Sequence, residues 1–255
     1  MEMLSGLPTP LISVVTPVVS LDEVVLDASR WSPLIFVEKP GVSREIDARG
    51  AVGYVERFNP VRPRLVTSIQ RAVSNQSSIR IETTRLSEYA PKTTGAILND
   101  LFCHDLDLLL EVFRACRYEL VSLSEVRADF ITTHRMEMRL SAIFNLIDQR
   151  DTDVTKAHPS WVNTHPKLQS ITQIQVNLKS IAGRGARLRS WRINEEHIYH
   201  LNHHTAEVNP LYEQCESVYA WSKSAQRELP HPLCSIQESV QRVTLLRKLA
   251  HKLSQ

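Results

Sequence analysis

Two short apolar runs, each ended by a proline, constrain the fold more than any other part of the sequence. They are Leu11–Pro17 and Leu34–Pro40, and a segment of helical character separates them. Short runs rich in Val and Ile that stop at proline are typical of buried strands. A strand, a helix and a second strand at this spacing predict a right-handed crossover with parallel pairing. Ser20 or Asp22 is the expected cap of that helix.

Polar side chains follow both strands at the point where each strand ends. Thr16 stands after the first strand, and Glu38 and Lys39 stand after the second. Ligands of parallel sheets bind beyond the carboxyl ends of the strands. The sequence therefore predicts a small-molecule site at this edge, next to a third strand that begins near Ala51.

The chain after Pro60 follows a different pattern. A helix over residues 61–74 precedes five segments in which apolar and polar residues alternate. Such alternation is typical of antiparallel strands with one solvated face. The five predicted strands cover residues 78–85, 120–130, 135–147, 170–181 and 187–193. Two further helices are expected at 210–224 and 235–253.

These patterns predict a two-part architecture. Residues 1–60 are expected to form a small α/β domain with a parallel sheet. Residues 61–255 are expected to form an α+β domain with a large, mostly antiparallel open sheet and helices.

A helix predicted over residues 95–113 carries a candidate acid/base pair. Asp100 and His104 lie four residues apart, so their side chains share one helical face. A carboxylate beside an imidazole suits proton transfer near neutral pH. The alternative interpretation is that Asp100 caps the helix while His104 bonds a backbone group, and the spacing alone favours this alternative.

Composition indicates the class of protein. The net charge of +2 predicts neither a nucleic-acid surface nor a membrane surface. The four cysteines show no metal-type or redox-type spacing, which indicates reduced thiols in a cytoplasmic protein. No apolar run approaches the length of a membrane span.

Two groups of residues are weaker candidates for a site. Four histidines could ligate zinc, but no cysteine or carboxylate set accompanies them, so we interpret them as surface or pocket-rim residues and predict no metal site. Four arginines alternate along strands and could meet an anionic substrate, although a solvated face or a subunit interface is favoured. Trp161 either borders a pocket or only packs. The histidines are His197, His200, His203 and His204, and the arginines are Arg184, Arg187, Arg189 and Arg192.

Three sets of residues, taken in chain order, carry a family resemblance. They are Val14–Pro17 with Val37–Pro40, then Gly53-Tyr54 through Arg57-Phe58-Asn59-Pro60, then Asp100…His104-Asp105…Asp107. In this order they resemble the glucose–fructose oxidoreductase/inositol dehydrogenase (Gfo/Idh/MocA) family. The resemblance extends from Leu11 to the end of the chain, where Ser235 opens a last helix.

The resemblance implies that residues 1–60 are the remnant of a Rossmann-type nucleotide-binding domain and that the last helices pack back on it. It also implies a second domain whose open sheet often pairs subunits, and hydride chemistry on sugars, cyclitols or related carbonyl compounds. It implies that Lys39 is the catalytic lysine, Asp100 its polar partner and His104 the proton-transfer histidine. Lys39 can hold a hydroxyl or a developing alkoxide while His104 moves the proton. The residues expected around the pocket are Thr16, Pro17, Glu38, Tyr54, Arg57 and Asn59.

The sequence departs from the family at the cofactor site. Family members begin with a strand, a Gly-x-Gly-x-x-Gly turn and further β/α units, and no such stretch precedes Leu11. The one Gly-x-Gly, at Gly183 and Gly185, lies among predicted antiparallel strands. Without that turn a dinucleotide lacks backbone donors for its pyrophosphate, so no bound NAD(P) is expected unless the family activity is kept. The exposed edges of the shortened sheet predict self-association.

Three hypotheses about function follow. The first is a cofactor-independent enzyme that uses Lys39, Asp100 and His104 for isomerisation, elimination or cyclisation of a carbonyl or sugar-like substrate. The second keeps NAD(P)-dependent redox chemistry, with an atypical cofactor pose or a partner chain that supplies the missing half. The third is a non-catalytic scaffold. The first is favoured, and a homo-oligomer formed through the large sheet is expected.

Overall fold

The computed structural model describes residues 11–75, 78–87, 98–131, 136–149, 171–182, 188–202, 209–224 and 228–253. The chain divides into two units. The first comprises Met1–Pro60, Thr93–Leu108 and Ala206–Gln255, and the second comprises Val61–Lys92 and Leu109–Thr205.

The described helices and strands follow one another along the chain as β1 (Ile12–Val14), α1 (Val18–Ala28), β2 (Leu34–Val37), β3 (Arg49–Val52), α2 (Val61–Ser74), β4 (Ile79–Ser87), α3 (Cys103–Ala115), β5 (Tyr118–Ile131), β6 (Met136–Asp148), β7 (Ile171–Ala182), β8 (Leu188–Ile193), β9 (Glu196–Asn202), α4 (Pro210–Lys223), β10 (Cys234–Ser235) and α5 (Ile236–Leu253). A short 3-10 helix covers Val55–Phe58, and a π-helical turn, Leu98–Phe102, leads into α3. No helix in the described ranges is long and apolar enough to cross a membrane.

Three parallel strands form the centre of the first unit. The sheet order is β1-β2-β3-β10, and β10 pairs antiparallel with β3. Helix α1 connects β1 to β2 and buries Leu21, Val25 and Ala28. The predicted strand–helix–strand unit with parallel pairing is therefore confirmed.

The first helix starts earlier than the sequence predicts. Pro17 is its N-terminal cap residue, and no side chain caps the helix. Ser20 and Asp22 lie inside the helix, where the Ser20 hydroxyl donates to the Pro17 carbonyl at 3.1 Å and Asp22 accepts from the Ser43 amide at 2.8 Å. The two predicted caps are wrong, because Asp22 bonds a loop residue that the local pattern does not reveal.

The second unit is built on a sheet in the order β5-β6-β7-β4-β8-β9. Apolar and polar residues alternate along β6, so they lie on opposite faces of the sheet. Met138 and Leu140 are buried, whereas Glu137 and Arg139 point to the other side. Helix α2 packs against β4, β8 and β9. The fold-class prediction, a small parallel sheet followed by a larger, mostly antiparallel sheet with helices, is confirmed.

The structure differs from the sequence prediction at two places in this sheet. The segment around His197 is predicted to be a strand-to-loop junction, but it forms β9 and pairs with β8. The predicted strands are all antiparallel, but β4 and β7 run parallel. Alternation indicates which side chains share a face, and it does not indicate the direction of the neighbouring strand.

A reciprocal pair of hydrogen bonds caps α5. The Ser235 hydroxyl accepts from the Glu238 amide at 3.0 Å, and the Glu238 carboxylate accepts from the Ser235 amide at 2.9 Å. This capping box satisfies N–H groups that the start of a helix otherwise leaves unpaired. The predicted start of the last helix at Ser235 is confirmed.

Replacing Ser235 with alanine is expected to lower the free energy of unfolding by about 1 kcal/mol, because the Glu238 amide loses its acceptor. Urea denaturation followed by tryptophan fluorescence measures the loss. Ser222→Ala is the matched control, since the Ser222 hydroxyl lies on α4 and donates to the Tyr219 carbonyl at 2.7 Å without capping a helix start. Equal losses in both variants would contradict the capping role.

Candidate functional site

The three parallel strands of the first unit end side by side. Their last residues are aligned in register, and these are Val14, Val37 and Val52. The pairing continues beyond β2, since the Glu38 amide donates to the Val14 carbonyl at 3.0 Å. The structure therefore places Thr16, Glu38, Lys39 and Tyr54 at one edge of the sheet.

Lys39 forms an ion pair with Asp100 at this edge. Its ammonium nitrogen Nζ donates to the Asp100 carboxylate oxygen Oδ1, and its amide donates to the Glu38 carboxylate at 3.2 Å. The Lys39 side chain is 19% exposed and that of Asp100 is 41% exposed. The ammonium is thus oriented by a carboxylate and remains accessible to a ligand from solvent.

Asp100 lies in the π-helical turn that precedes α3. Such turns widen the helix by one residue and are frequent at functional sites. The family resemblance implies that Asp100 is the polar partner of Lys39, and in the structure the Asp100 carboxylate accepts from the Lys39 ammonium.

His104 lies close to the same edge through its contact with Tyr54. Their rings meet edge to face, with centroids 6.2 Å apart and planes at 90°. The Tyr54 hydroxyl donates to the Pro40 carbonyl at 2.7 Å, one residue after Lys39. Burial raises the pKa of Tyr54 well above its usual value, so the phenol stays protonated and holds this bond. Tyr54 therefore connects the lysine segment to the histidine.

Arg57 belongs to a buried ion network. Its Nε and Nη2 donate to the two Asp107 carboxylate oxygens at 2.8 and 2.7 Å. The Arg242 Nε donates to the same carboxylate at 3.1 Å. Arg57 is 2% exposed and Asp107 is 0% exposed, so this network supports the unit from inside. Arg57, one of the residues expected around the pocket, therefore lies inside this network and has no exposed surface at the sheet edge.

The network also sets the charge state of its members. Burial opposes the charge on Asp107, but the Arg57 and Arg242 guanidinium groups outweigh it and hold the pKa of this carboxyl below its usual value. Burial raises the pKa of the neighbouring Cys234 thiol, which remains protonated. The cluster therefore consists of charged pairs beside a neutral thiol.

The remaining predicted pocket residues have different surroundings. The Thr16 hydroxyl oxygen is buried and has no hydrogen-bond partner within the described part of the chain. Pro17 opens α1. Asn59 is 4% exposed and its amide donates to the Glu56 carboxylate at 2.9 Å, so it braces the 3-10 helix.

The weaker candidates are only partly described. His197 lies exposed on β9, and the described residues include no group of three His, Cys, Asp or Glu side chains placed to hold a metal. Arg189 and Arg192 are an odd number of positions apart on β8 and fall on opposite faces of the sheet. The candidates outside the described residues are Trp161, Gly183, Arg184, Gly185, Arg187, His203 and His204.

The turn from β1 into α1 does not have the features of a pyrophosphate-binding turn. Such a site needs a glycine turn whose amides point at the phosphates from a helix N-terminus. The turn from β1 into α1 is Val15-Thr16-Pro17, in which proline supplies no N–H. Val19 at the start of that helix is 96% exposed and offers an apolar side chain instead.

Comparison with known proteins identifies solved structures that have a similar fold. No protein-family model and no curated protein sequence matches the chain. A probable dehydrogenase from Thermotoga maritima matches with a TM-score of 0.61 and 12% identity, over 96% of this chain and 79% of that chain. Myo-inositol 2-dehydrogenase from Lactobacillus plantarum matches with a TM-score of 0.60 and 10% identity, over 98% and 80%.

A third solved structure agrees with these two. UDP-N-acetylglucosamine 3-dehydrogenase from Acidithiobacillus ferrooxidans matches with a TM-score of 0.55 and 16% identity, over 97% of this chain and 78% of that chain. All three are similar to this chain at the level of the fold. The chain therefore has the fold of the Gfo/Idh/MocA-type dehydrogenases, as its sequence motifs predicted.

Proposed function

We propose that this chain is a small-molecule enzyme that transfers protons at a carbonyl or sugar-like substrate without bound NAD(P). The observation that supports the proposal is the Lys39–Asp100 ion pair at the sheet edge, joined to His104 through Tyr54. A lysine ammonium, an orienting carboxylate and an imidazole are the groups that acid/base chemistry needs.

The roles of Lys39, Asp100 and His104 follow from the charge and position of each side chain. The Lys39 ammonium binds a substrate hydroxyl or carbonyl oxygen and stabilises negative charge that develops there. Asp100 orients the ammonium. His104 accepts or returns the proton, because imidazole titrates near neutral pH. Isomerisation, elimination and cyclisation are the reactions that these groups can perform alone.

A second candidate function is an NAD(P)-dependent oxidoreductase. It is favoured by the solved structures of similar fold, which are dehydrogenases. Under this alternative Lys39 and His104 keep the same roles toward the substrate. The two candidates differ in whether a nicotinamide cofactor binds and therefore in whether hydride is transferred.

Titration with NAD⁺, NADH, NADP⁺ and NADPH separates the two candidates. We expect no saturable binding up to about 1 mM by calorimetry or tryptophan fluorescence, because the described turns supply no glycine cradle for the phosphates. A dehydrogenase of the same fold, titrated in parallel, is the positive control. Micromolar binding would overturn the cofactor-independent proposal and favour the oxidoreductase.

A further inference from the structure

An open cleft of about 490 Å³ lies between helix α2 and strand β9 of the second unit. One wall is α2, on which Arg64, Ser68 and Arg71 recur at helical spacing and therefore share one face. The other wall is β9, which contributes Glu196 and Ile198. Cavities of this size are typical of small-molecule sites. The side chains along the two walls therefore indicate which kind of molecule fits.

The end of the cleft at Arg64 carries an unbalanced positive charge. The Arg64 side chain is exposed and forms no ion pair or hydrogen bond within the described part of the chain. A guanidinium group presents N–H donors in a planar fork that matches two oxygens of a phosphate or a carboxylate. This end of the cleft is therefore suited to an anionic group.

Ser68 adds a hydroxyl group one helical turn from Arg64. It lines the cleft although it is only 8% exposed, and its hydroxyl forms no hydrogen bond with any residue in the described ranges. Hydroxyls buried to this extent nearly always have a hydrogen-bond partner. An oxygen of a molecule in the cleft would supply that partner, beside the Arg64 guanidinium.

The other end of the cleft carries a balanced pair of charges. The Arg71 Nη1 lies 3.9 Å from the Glu196 Oε2, and the two side chains are 63% and 56% exposed. Such an exposed pair is weak, so both groups remain open to a ligand. A carboxylate accepts from hydroxyl groups, and a guanidinium donates to their oxygens. This end is therefore suited to a neutral molecule rich in hydroxyl groups.

The spacing of the two ends matches a small sugar derivative. Arg64 and Arg71 are seven residues apart on α2, which corresponds to about 10 Å along the helix axis. This is comparable with the length of a sugar that carries an acidic group on its terminal carbon. Pro63 and Ile198 also line the cleft and offer apolar surface to the C–H groups of the sugar.

We infer that the cleft between α2 and β9 binds a small polyhydroxylated anion, either a sugar phosphate or a sugar acid. Its anionic group lies at Arg64 and Ser68, and its hydroxyl groups lie at the Arg71–Glu196 pair. The site is in the second unit and goes beyond the proton transfer proposed for Lys39. Binding in the cleft requires no turnover, so its test and the test of the proposed function can fail separately.

Calorimetric titration of the full chain with glucose 6-phosphate, ribose 5-phosphate, gluconate and glucuronate tests the site. We expect at least one of them to bind with a dissociation constant of about 1 mM or tighter, and about tenfold more tightly than inorganic phosphate, acetate or glucose. Tighter binding of the phosphates identifies a sugar phosphate, and tighter binding of the other two identifies a sugar acid. Absence of saturable binding of all four at about 10 mM would overturn the proposal, as would equally tight binding of inorganic phosphate or acetate.

Replacing Arg64 with glutamine tests the anionic end. We expect binding of the sugar derivative to weaken about tenfold, because a charge-assisted contact is lost. Arg80→Gln is the matched control, since Arg80 is also exposed and lies on β4, where its Nε donates to the Gln175 side-chain oxygen at 3.1 Å. It removes the same charge outside the cleft and should change binding by less than about twofold. Equal losses in both variants would indicate an effect of net charge and overturn the site.

Replacing Glu196 with alanine tests the end that binds hydroxyl groups. We expect binding of the sugar derivative to weaken about fivefold, although the change removes a negative charge that repels an anion. Glu195→Ala is the control, because it removes the same charge from a side chain that is 100% exposed. Both replaced side chains are exposed, so the melting temperatures should stay unchanged. Unchanged or tighter binding by Glu196→Ala would overturn the assignment of this end to hydroxyl groups.

Discussion

Replacing Asp107 with alanine is expected to lower the free energy of unfolding by about 3–5 kcal/mol, the range found when one partner of a buried ion pair is removed. The carboxylate is fully buried and accepts from two Arg57 nitrogens at 2.8 and 2.7 Å and from Arg242 at 3.1 Å. Alanine leaves both guanidinium groups buried without the Asp107 carboxylate, and the other carboxylate that they share, that of Glu238, lies farther away at 3.6 and 3.8 Å. Urea denaturation measures the loss.

An exposed aspartate provides the control. Asp27 pairs with Arg30 at 3.7 Å, and its side chain is 64% exposed. Asp27→Asn is expected to change stability by less than about 0.5 kcal/mol, since exposed pairs contribute little. Within the network, Arg57→Met should be more damaging than Arg242→Met, because Arg57 makes the two-pronged contact with Asp107. A small loss in Asp107→Ala would contradict the supporting role of the network.

The same pairing gives the stability a defined dependence on pH. The pKa of Asp107 is held below its ordinary value of 3.8 in the folded chain. Its contribution to stability is therefore fully present above the unfolded value and is lost as the pH falls through the folded value. The amide of the Asp107→Asn variant does not take up a proton in this range, so the stabilities of the variant and of the unmodified chain should converge in acid. A constant difference between about pH 6 and pH 3 would contradict this assignment.

Local patterns predicted the elements of this fold well. The predicted helix over residues 61–74 has the bounds of α2, and the apolar run at Leu34 forms β2 between Leu34 and Val37. These elements follow from hydrophobic periodicity and proline stops, which act over a few residues. The order of the motifs along the chain also predicted the fold, since each motif lies at the end of a strand or at the start of a helix.

The buried network could not be predicted in the same way. Arg57 and Asp107 are 50 positions apart, and Asp107 and Arg242 are 135 positions apart. No local pattern joins them. One signal was present, because Asp107 stands among leucines on the predicted helix, and a carboxylate buried on an apolar face needs a cationic partner. The Lys39–Asp100 pair was implied by the family resemblance, since no local pattern joins two residues that are 61 positions apart.

The largest effect on function is expected from Lys39 and His104. Lys39→Met keeps an unbranched side chain that is one atom shorter and removes the charge, and His104→Ala removes the proton carrier. Each is expected to reduce the rate of proton transfer by about 100-fold to 10,000-fold. Asp100→Asn should reduce it less, because an amide oxygen still accepts from the Lys39 ammonium.

Proton transfer can be measured before the natural substrate is known. In deuterium oxide without NAD(P), an active acid/base pair replaces the hydrogen beside a carbonyl group with deuterium, and proton NMR follows the loss of signal in a panel of ketoses and cyclic ketones. Lys223→Met and His197→Ala are the matched controls. Lys223 lies 5.6 Å from the Tyr219 ring on α4, and His197 is exposed on β9.

The pattern of losses distinguishes the three hypotheses. Loss of deuterium exchange in the Lys39 and His104 variants, with exchange kept in both controls, supports the cofactor-independent enzyme. Each pair of variants removes one lysine and one histidine, so a difference between the pairs reflects the positions of these residues. Exchange that appears only after NAD(P) is added favours the oxidoreductase. Full activity of His104→Ala would contradict a role for this histidine in proton transfer. Absence of exchange with every compound, together with unchanged assembly of the variants, favours the non-catalytic scaffold.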